Sequence, residues 1–212
     1  MRVPAIDDAP EGATSYFFVF LGNALALDLV NTDVILRRRR RDLLPTPEAL
    51  AQWWDEARSR YPDLDQGGGT AERWRSAALL DAVKRLRTAL HDLFVTVIAG
   101  QAVSEDALGP LNRILRVGYR RLEVSADGQV LPGYGVHEDG MDALLLPIAL
   151  SAYEVLTQAD RDRLRACENP YCVALFYDTS KSATRRWCSE GCMNRARSAA
   201  RYAQVKQAHL HS

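Results

Sequence analysis

Cysteine is absent from the first 166 residues, the net charge is zero, and no uncharged apolar stretch nears the roughly 20 residues that cross a bilayer. The longest such run, 143–153, is interrupted by Pro147, which excludes a transmembrane helix there. The first 15 residues carry acids and prolines where a signal peptide would carry an apolar core, so they are expected to form a loose tail on a cytoplasmic protein. The chain also lacks a Gly-rich phosphate loop, a G-x-S-x-G elbow and a His-Glu-x-x-His pair. Enzymatic function therefore finds no support, and no catalytic residue is assigned.

What is present is an ordinary globular composition. The chain has 212 residues, 47% apolar and 25% charged, enough for a sizeable core in one or two domains. The zero net charge conceals an asymmetry. Residues 161–212 hold ten Lys/Arg against Asp162, Glu168, Asp178 and Glu190, an excess of +6 that residues 1–160 balance. A local cationic excess favours a polyanionic partner, because the steering field depends on where charge sits.

The four cysteines, Cys167, Cys172, Cys188 and Cys192, are separated by four, fifteen and three residues. Two short pairs of thiolates suit one tetrahedral Zn²⁺, and a reducing cytoplasm argues against disulfides. A redox pair or an iron–sulfur cluster are the alternatives, although the iron–sulfur spacings known to us differ. The residues around the pairs sharpen the zinc reading. The turn 168–171 forms a knuckle, 173–178 is apolar and β-branched enough for a strand, and 184–187 can return as its partner. Ser189 then caps a helix over about 190–207 whose first turn holds Cys192. This order is that of a treble-clef-like module with every metal position filled by protein.

Upstream, 15–21 is a strand candidate, 23–32 a short helix, and 37–41 a basic loop of consecutive arginines. A helix over 48–59 starts at Pro47, and one of Trp53 and Trp54 should reach the core. After a Gly-rich connector over 65–70, apolar residues at three- and four-residue intervals predict one long helix over 72–99, ended by Gly100. Ser104 caps another helix, 122–131 reads as a hairpin around Asp127-Gly128, and 141–156 should be a buried helix. The expected class is α+β. A mostly helical N-terminal domain with short strands and a hairpin (1–160) precedes the zinc module (161–212), and replacing a cysteine should release that module while the first domain stays folded.

At this point the residues carry a resemblance. Phe176, Asp178, Ser180, Arg186, Trp187, Cys188, Ser189, Cys192, Asn194 and Arg195 fall where the CGNR zinc finger family places its pattern, and FLGNALALDLVNT is similar to the opening of the ABATE domain that accompanies this finger. Members are described as stress-induced transcription regulators, so the resemblance implies DNA binding. One departure is Met193, which stands where the motif has glycine.

Arg197 and Arg201 lie three and seven residues after Asn194, on one helical face, and Arg185 with Arg186 approaches from the preceding segment. These five are the candidate DNA contacts. Arg195 is placed to hydrogen-bond the thiolates or to pair with Asp178. Asp28, Asn31 and Thr32 share a face of an apolar helix and are candidates for the polar corner of a small-effector pocket, or else hydrogen-bond neighbouring protein groups. Two functions follow as expectations. One is a transcription regulator with a ligand-sensing N-terminal domain and a DNA-binding zinc module. The other is a zinc-braced protein-interaction or small-ligand-binding module that does not bind DNA.

Overall fold

The computed structural model describes residues 16–36, 39–61, 69–157 and 160–210. The N-terminal tail, Arg37 and Arg38 of the arginine run, and most of the Gly-rich connector lie outside the described residues. The chain order is α1 (Leu25–Val30), β1 (Asp33–Leu36), β2 (Arg39–Asp42), α2 (Pro47–Arg60), a 3₁₀ turn (Ala71–Trp74), α3 (Ala77–Ile98) and α4 (Glu105–Leu115). It continues through β3 (Gly118–Val124), β4 (Val130–Val136), α5 (Met141–Thr157), a 3₁₀ turn (Arg161–Arg163), β5 (Leu164–Ala166), β6 (Leu175–Tyr177) and α6 (Glu190–Leu210). The strands form three separate antiparallel pairs, β1–β2, β3–β4 and β5–β6.

Local chemistry sets the helix starts. The side chains of Thr46, Ser76 and Ser104 accept the amides of Ala49, Leu79 and Ala107 at 3.2, 3.4 and 3.3 Å, covering donors that a first turn leaves open. Gly100, at φ +65°, stops α3 in the left-handed conformation that favours glycine. Leu79, Val83, Leu86, Leu90 and Leu93 line the buried face of α3, and α5 is buried along most of its length. Helices α1 and α4 each pack against both.

Five expectations need correction. The long helix over 72–99 is broken, because Trp74 turns inward to stack on Trp54 at 4.0 Å and Ser76 caps a fresh helix. Both Trp53 and Trp54 are fully buried rather than one, since α2 lies between the aromatic N-terminal segment and the 3₁₀ turn. The described part of the arginine run is a strand rather than a loop: Arg39–Asp42 forms β2, paired with β1 in register Asp33↔Asp42, and Arg40 forks onto Asp33 at 2.8 Å. The β3–β4 hairpin extends well beyond 122–131 in both directions. Finally, β6 pairs with β5 before the knuckle rather than with 184–187, in register Leu164↔Tyr177.

The segment 16–21 is a subtler case. No strand is assigned there, yet its alternation is used. Tyr16, Phe18 and Phe20 face the main core while Phe17, Val19 and Leu21 face a second cluster with Cys167, Cys188 and Phe176. The segment is thus an extended wedge between two cores, buried on both sides as period-2 geometry allows. The cores also meet elsewhere, because Leu164 of β5 and Leu175 of β6 belong to the main one.

Candidate metal centre and basic face

Cys167 follows β5, Cys172 closes the knuckle, Cys188 precedes α6 and Cys192 sits in the first turn of α6. Their four Sγ atoms lie within 4.8 Å of one another. Cys172 and Cys188 are 3.8 Å apart, Cys188 and Cys192 3.5 Å. A tetrahedral zinc with Zn–S of about 2.3 Å sets its sulfurs about 3.8 Å apart, so the donor set fits that ion in number, spacing and chemistry. Four crowded thiols conflict without a cation. Contact with Cys172 and Cys188 draws Cys167 down and contact with Cys167 draws Cys192 down, whereas Cys167 pushes both Cys172 and Cys188 up. A divalent ion removes this conflict by stabilising all four thiolates.

Hydrogen bonds hold the sulfurs in place. The Cys188 amide donates to Cys167 Sγ at 3.5 Å, and Arg195 Nη2 donates to Cys192 Sγ at 3.1 Å, the thiolate role expected for it. Asn169, 2% exposed, accepts the Tyr171 amide through Oδ1 and donates to the Cys192 carbonyl at 3.4 Å, tying knuckle to helix. The sequence reading saw Asn169 only as a turn residue. Its position before Pro170, between two ligands, was the available signal. Arg163 was also missed: its Nη1 donates to the carbonyls of Asp178 and Ser180 at 2.9 and 2.8 Å.

Asp178, fully buried, does not meet Arg195. Its carboxylate instead accepts the amides of Ser180 and Arg185 at 2.9 and 2.8 Å, with Arg165 Nε 3.9 Å away, and shapes the loop that leads to Cys188.

The five candidate DNA contacts separate into two kinds. Arg185 is half-buried, donates to the carbonyls of Trp187 and Cys188, and lies 5.0 Å over the Phe176 ring. Its guanidinium braces the metal loop. Arg186 is exposed, hydrogen-bonds Glu168 at 2.7 Å and covers Trp187. Asn194, Arg197 and Arg201 are exposed on α6.

Asp28, Asn31 and Thr32 are buried, and every polar side-chain atom of the three has a protein partner. Asp28 accepts the Gly22 amide at 2.6 Å and the Tyr61 hydroxyl. Burial pushes its carboxyl up to about 6 against the opposing pull of these bonds. Asn31 acts as a piece of strand: Oδ1 accepts the Leu175 amide at 2.9 Å and Nδ2 donates to the Leu175 carbonyl at 2.8 Å. Thr32 donates to the Leu29 carbonyl and accepts from Arg87, which also reaches Asp42 at 2.7 Å. Gly22 and Asn23 extend the clasp, the Gly22 carbonyl accepting the Tyr177 amide and Asn23 Nδ2 donating to the Tyr177 carbonyl, both at 2.9 Å. An apolar depression beside Asn31 and Cys172 is lined by Val19, Leu21, Val34 and Ala174.

Comparison with known families finds two matches in the chain. A family model named ABATE, described as "Putative stress-induced transcription regulator", matches residues 23–159, and the model of the CGNR zinc finger matches residues 163–204. No curated protein matches the chain at a significant level. The four clustered cysteines lie within the finger match and hold one structural zinc ion. Among the described residues no helix is long and apolar enough to cross a membrane.

Proposed function

The chain belongs to the ABATE family and carries a CGNR zinc finger, and from that membership we propose that it is a cytoplasmic transcription regulator that contacts duplex DNA through α6. The observation that carries this reading is the exposure of Asn194, Arg197 and Arg201 on a helix whose first turn is anchored to zinc through Cys192. A cationic face on a rigid element can follow a phosphate backbone without an ordering cost. Arg186 flanks the face. Its ion pair with Glu168 is at the surface, where exchange for a phosphate costs little. Arg185 is a positioning residue, because protein carbonyls already take its donors. Asn31 reads better as a clasp on the finger, and Asp28 and Thr32 as groups bonded within the N-terminal region, than as an effector corner, and the protein partner found for every polar side-chain atom of the three supports that assignment.

Salt titration of binding to random duplex DNA tests the proposal. Arg186, Arg197 and Arg201 neutralising three phosphates give a log K against log salt slope of about −2.7. Arg197→Ala should make that slope shallower by up to about one unit and weaken all sequences alike. Asn194→Ala should cost about 1–3 kcal/mol at a single base position if the amide reads a base edge. A zinc-loaded chain without duplex affinity at low salt would overturn the reading.

A further inference from the structure

Toward its turn the β3–β4 hairpin presents a face of apolar groups. Pairs Leu122↔Pro132 and Val124↔Val130 lie on it, and Leu122, Val124 and Val130 are 79%, 74% and 65% exposed. At its base Gly118 sits so close to Leu146 of α5 that an added Cβ would lie 2.7 Å from that side chain, so the hairpin is fixed to the core there and projects from it. A projecting, exposed apolar face marks an interaction surface.

The backbone says which edge is open. His137 N–H donates to the Val117 carbonyl and Ser125 N–H to the Gln129 carbonyl. Antiparallel pairs alternate between bonded and non-bonded, so the odd-numbered residues of β3 bond to β4 while the amides of Arg120, Leu122 and Val124 point outward. The same alternation aims Pro132 outward on β4, where it has no N–H to offer a further strand. Only the β3 edge is suited to augmentation.

We propose that this edge pairs with the β3 edge of a second copy of the chain, antiparallel about a two-fold axis at Leu122. The charge pattern selects this occupant. The run Arg121-Leu122-Glu123 is self-complementary on reversal, so the axis sets Leu122 against Leu122 and places Arg121 of each copy opposite Glu123 of the other, in a non-bonded pair whose side chains approach closely. Arg120 and Val124 then exchange backbone bonds across the interface. On the opposite face of the hairpin, Glu123 and Tyr119 lie flat over Gly133 and Gly135, where an added Cβ would meet them at 2.5 and 2.3 Å. Within one chain Arg121 already meets Glu123 at 2.6 Å, so pairing extends an existing charge row. A closed isologous contact sets the Leu122 side chains of the two copies side by side, each screening part of the other's apolar surface. This inference does not depend on DNA binding.

Analytical ultracentrifugation of the full zinc-loaded chain tests it, with hydrogen exchange of the β3 amides as the second readout. The expected result is a concentration-dependent dimer in which the amides of Arg120, Leu122 and Val124 are protected. Arg121→Glu or Glu123→Arg alone puts like charges at two symmetry-related positions and should weaken the dimer at least about tenfold. The double exchange should restore it. Leu122→Glu should yield a monomer with unchanged zinc content, since the side chain makes little contact within its own chain. A wild-type chain that stays monomeric at about 100 μM overturns the proposal, as does a dimer indifferent to these substitutions. The latter would assign the apolar face to some other partner.

Discussion

Asp28 is a carboxyl placed where a neutral group would be easier to keep. Burial raises it from 3.8 to about 6, and the Gly22 amide and Tyr61 hydroxyl recover only part of the cost. Because the folded value lies above the unfolded one, its contribution to stability is complete below about pH 4 and is lost as pH rises through about 6. The difference amounts to about 3 kcal/mol. Asp42 has the opposite sign. Burial would raise it, but hydrogen bonds from Arg87, Lys84 and the Leu44 amide outweigh that and hold it at about 2, so its contribution is present above about pH 4 and fades as pH falls through 2. Asp28→Asn should therefore gain stability relative to wild type between pH 4 and 7, read as the difference in urea unfolding free energy at each pH so that zinc loss cancels. A difference independent of pH would mean that the carboxyl is not protonated in the fold. At this scale the sequence was partly legible: the spacing of Asp28, Asn31 and Thr32 marked a polar face needing partners, but those partners, Tyr61, Leu175 and Arg87, lie between 33 and 144 residues away.

Among the elements, β6 is the short strand on which most depends. One side pairs with β5, and Asn31, Gly22 and Asn23 close the other with side-chain and backbone groups. Asn31→Ala leaves the buried amide and carbonyl of Leu175 without partners and should cost about 2–5 kcal/mol, measured as a lowered unfolding midpoint in the zinc-loaded chain. Gly22 cannot be changed freely either, since a Cβ there would lie 2.4 Å from that of Leu27. Helix positions and the zinc ligands were readable because apolar period, caps and cysteine spacing are local signals. The β5–β6 pairing was not, because nothing in the three residues 164–166 distinguishes a strand from a linker until Leu164 finds its place in the main core. The break before α3 escaped for a similar reason: the inward turn of Trp74 is set by Trp54, twenty residues earlier.

Across the whole molecule, the two matched regions share more than a boundary. The wedge at 16–21 feeds side chains to both cores, and Leu164 and Leu175 of the finger complete the N-terminal one. Calorimetry of the zinc-loaded chain should give one cooperative transition, and chelation should lower that whole transition rather than melt a separate module, because structural zinc supplies apparent binding energy of about 10–16 kcal/mol that both cores draw on. Two well-separated transitions would show independent halves.

The Asn31 clasp has a consequence for transplanting the finger. A graft cut near residue 160 keeps Cys167, Cys172, Cys188 and Cys192 in order, yet leaves behind the groups that close the free edge of β6 and cover the cluster, namely Val19, Leu21, Gly22 and Asn31. The transferable unit is discontinuous in the chain. It comprises the finger together with residues 16–31, so a finger borrowed from elsewhere would fit this scaffold only if its strand accepted an asparagine as its neighbour.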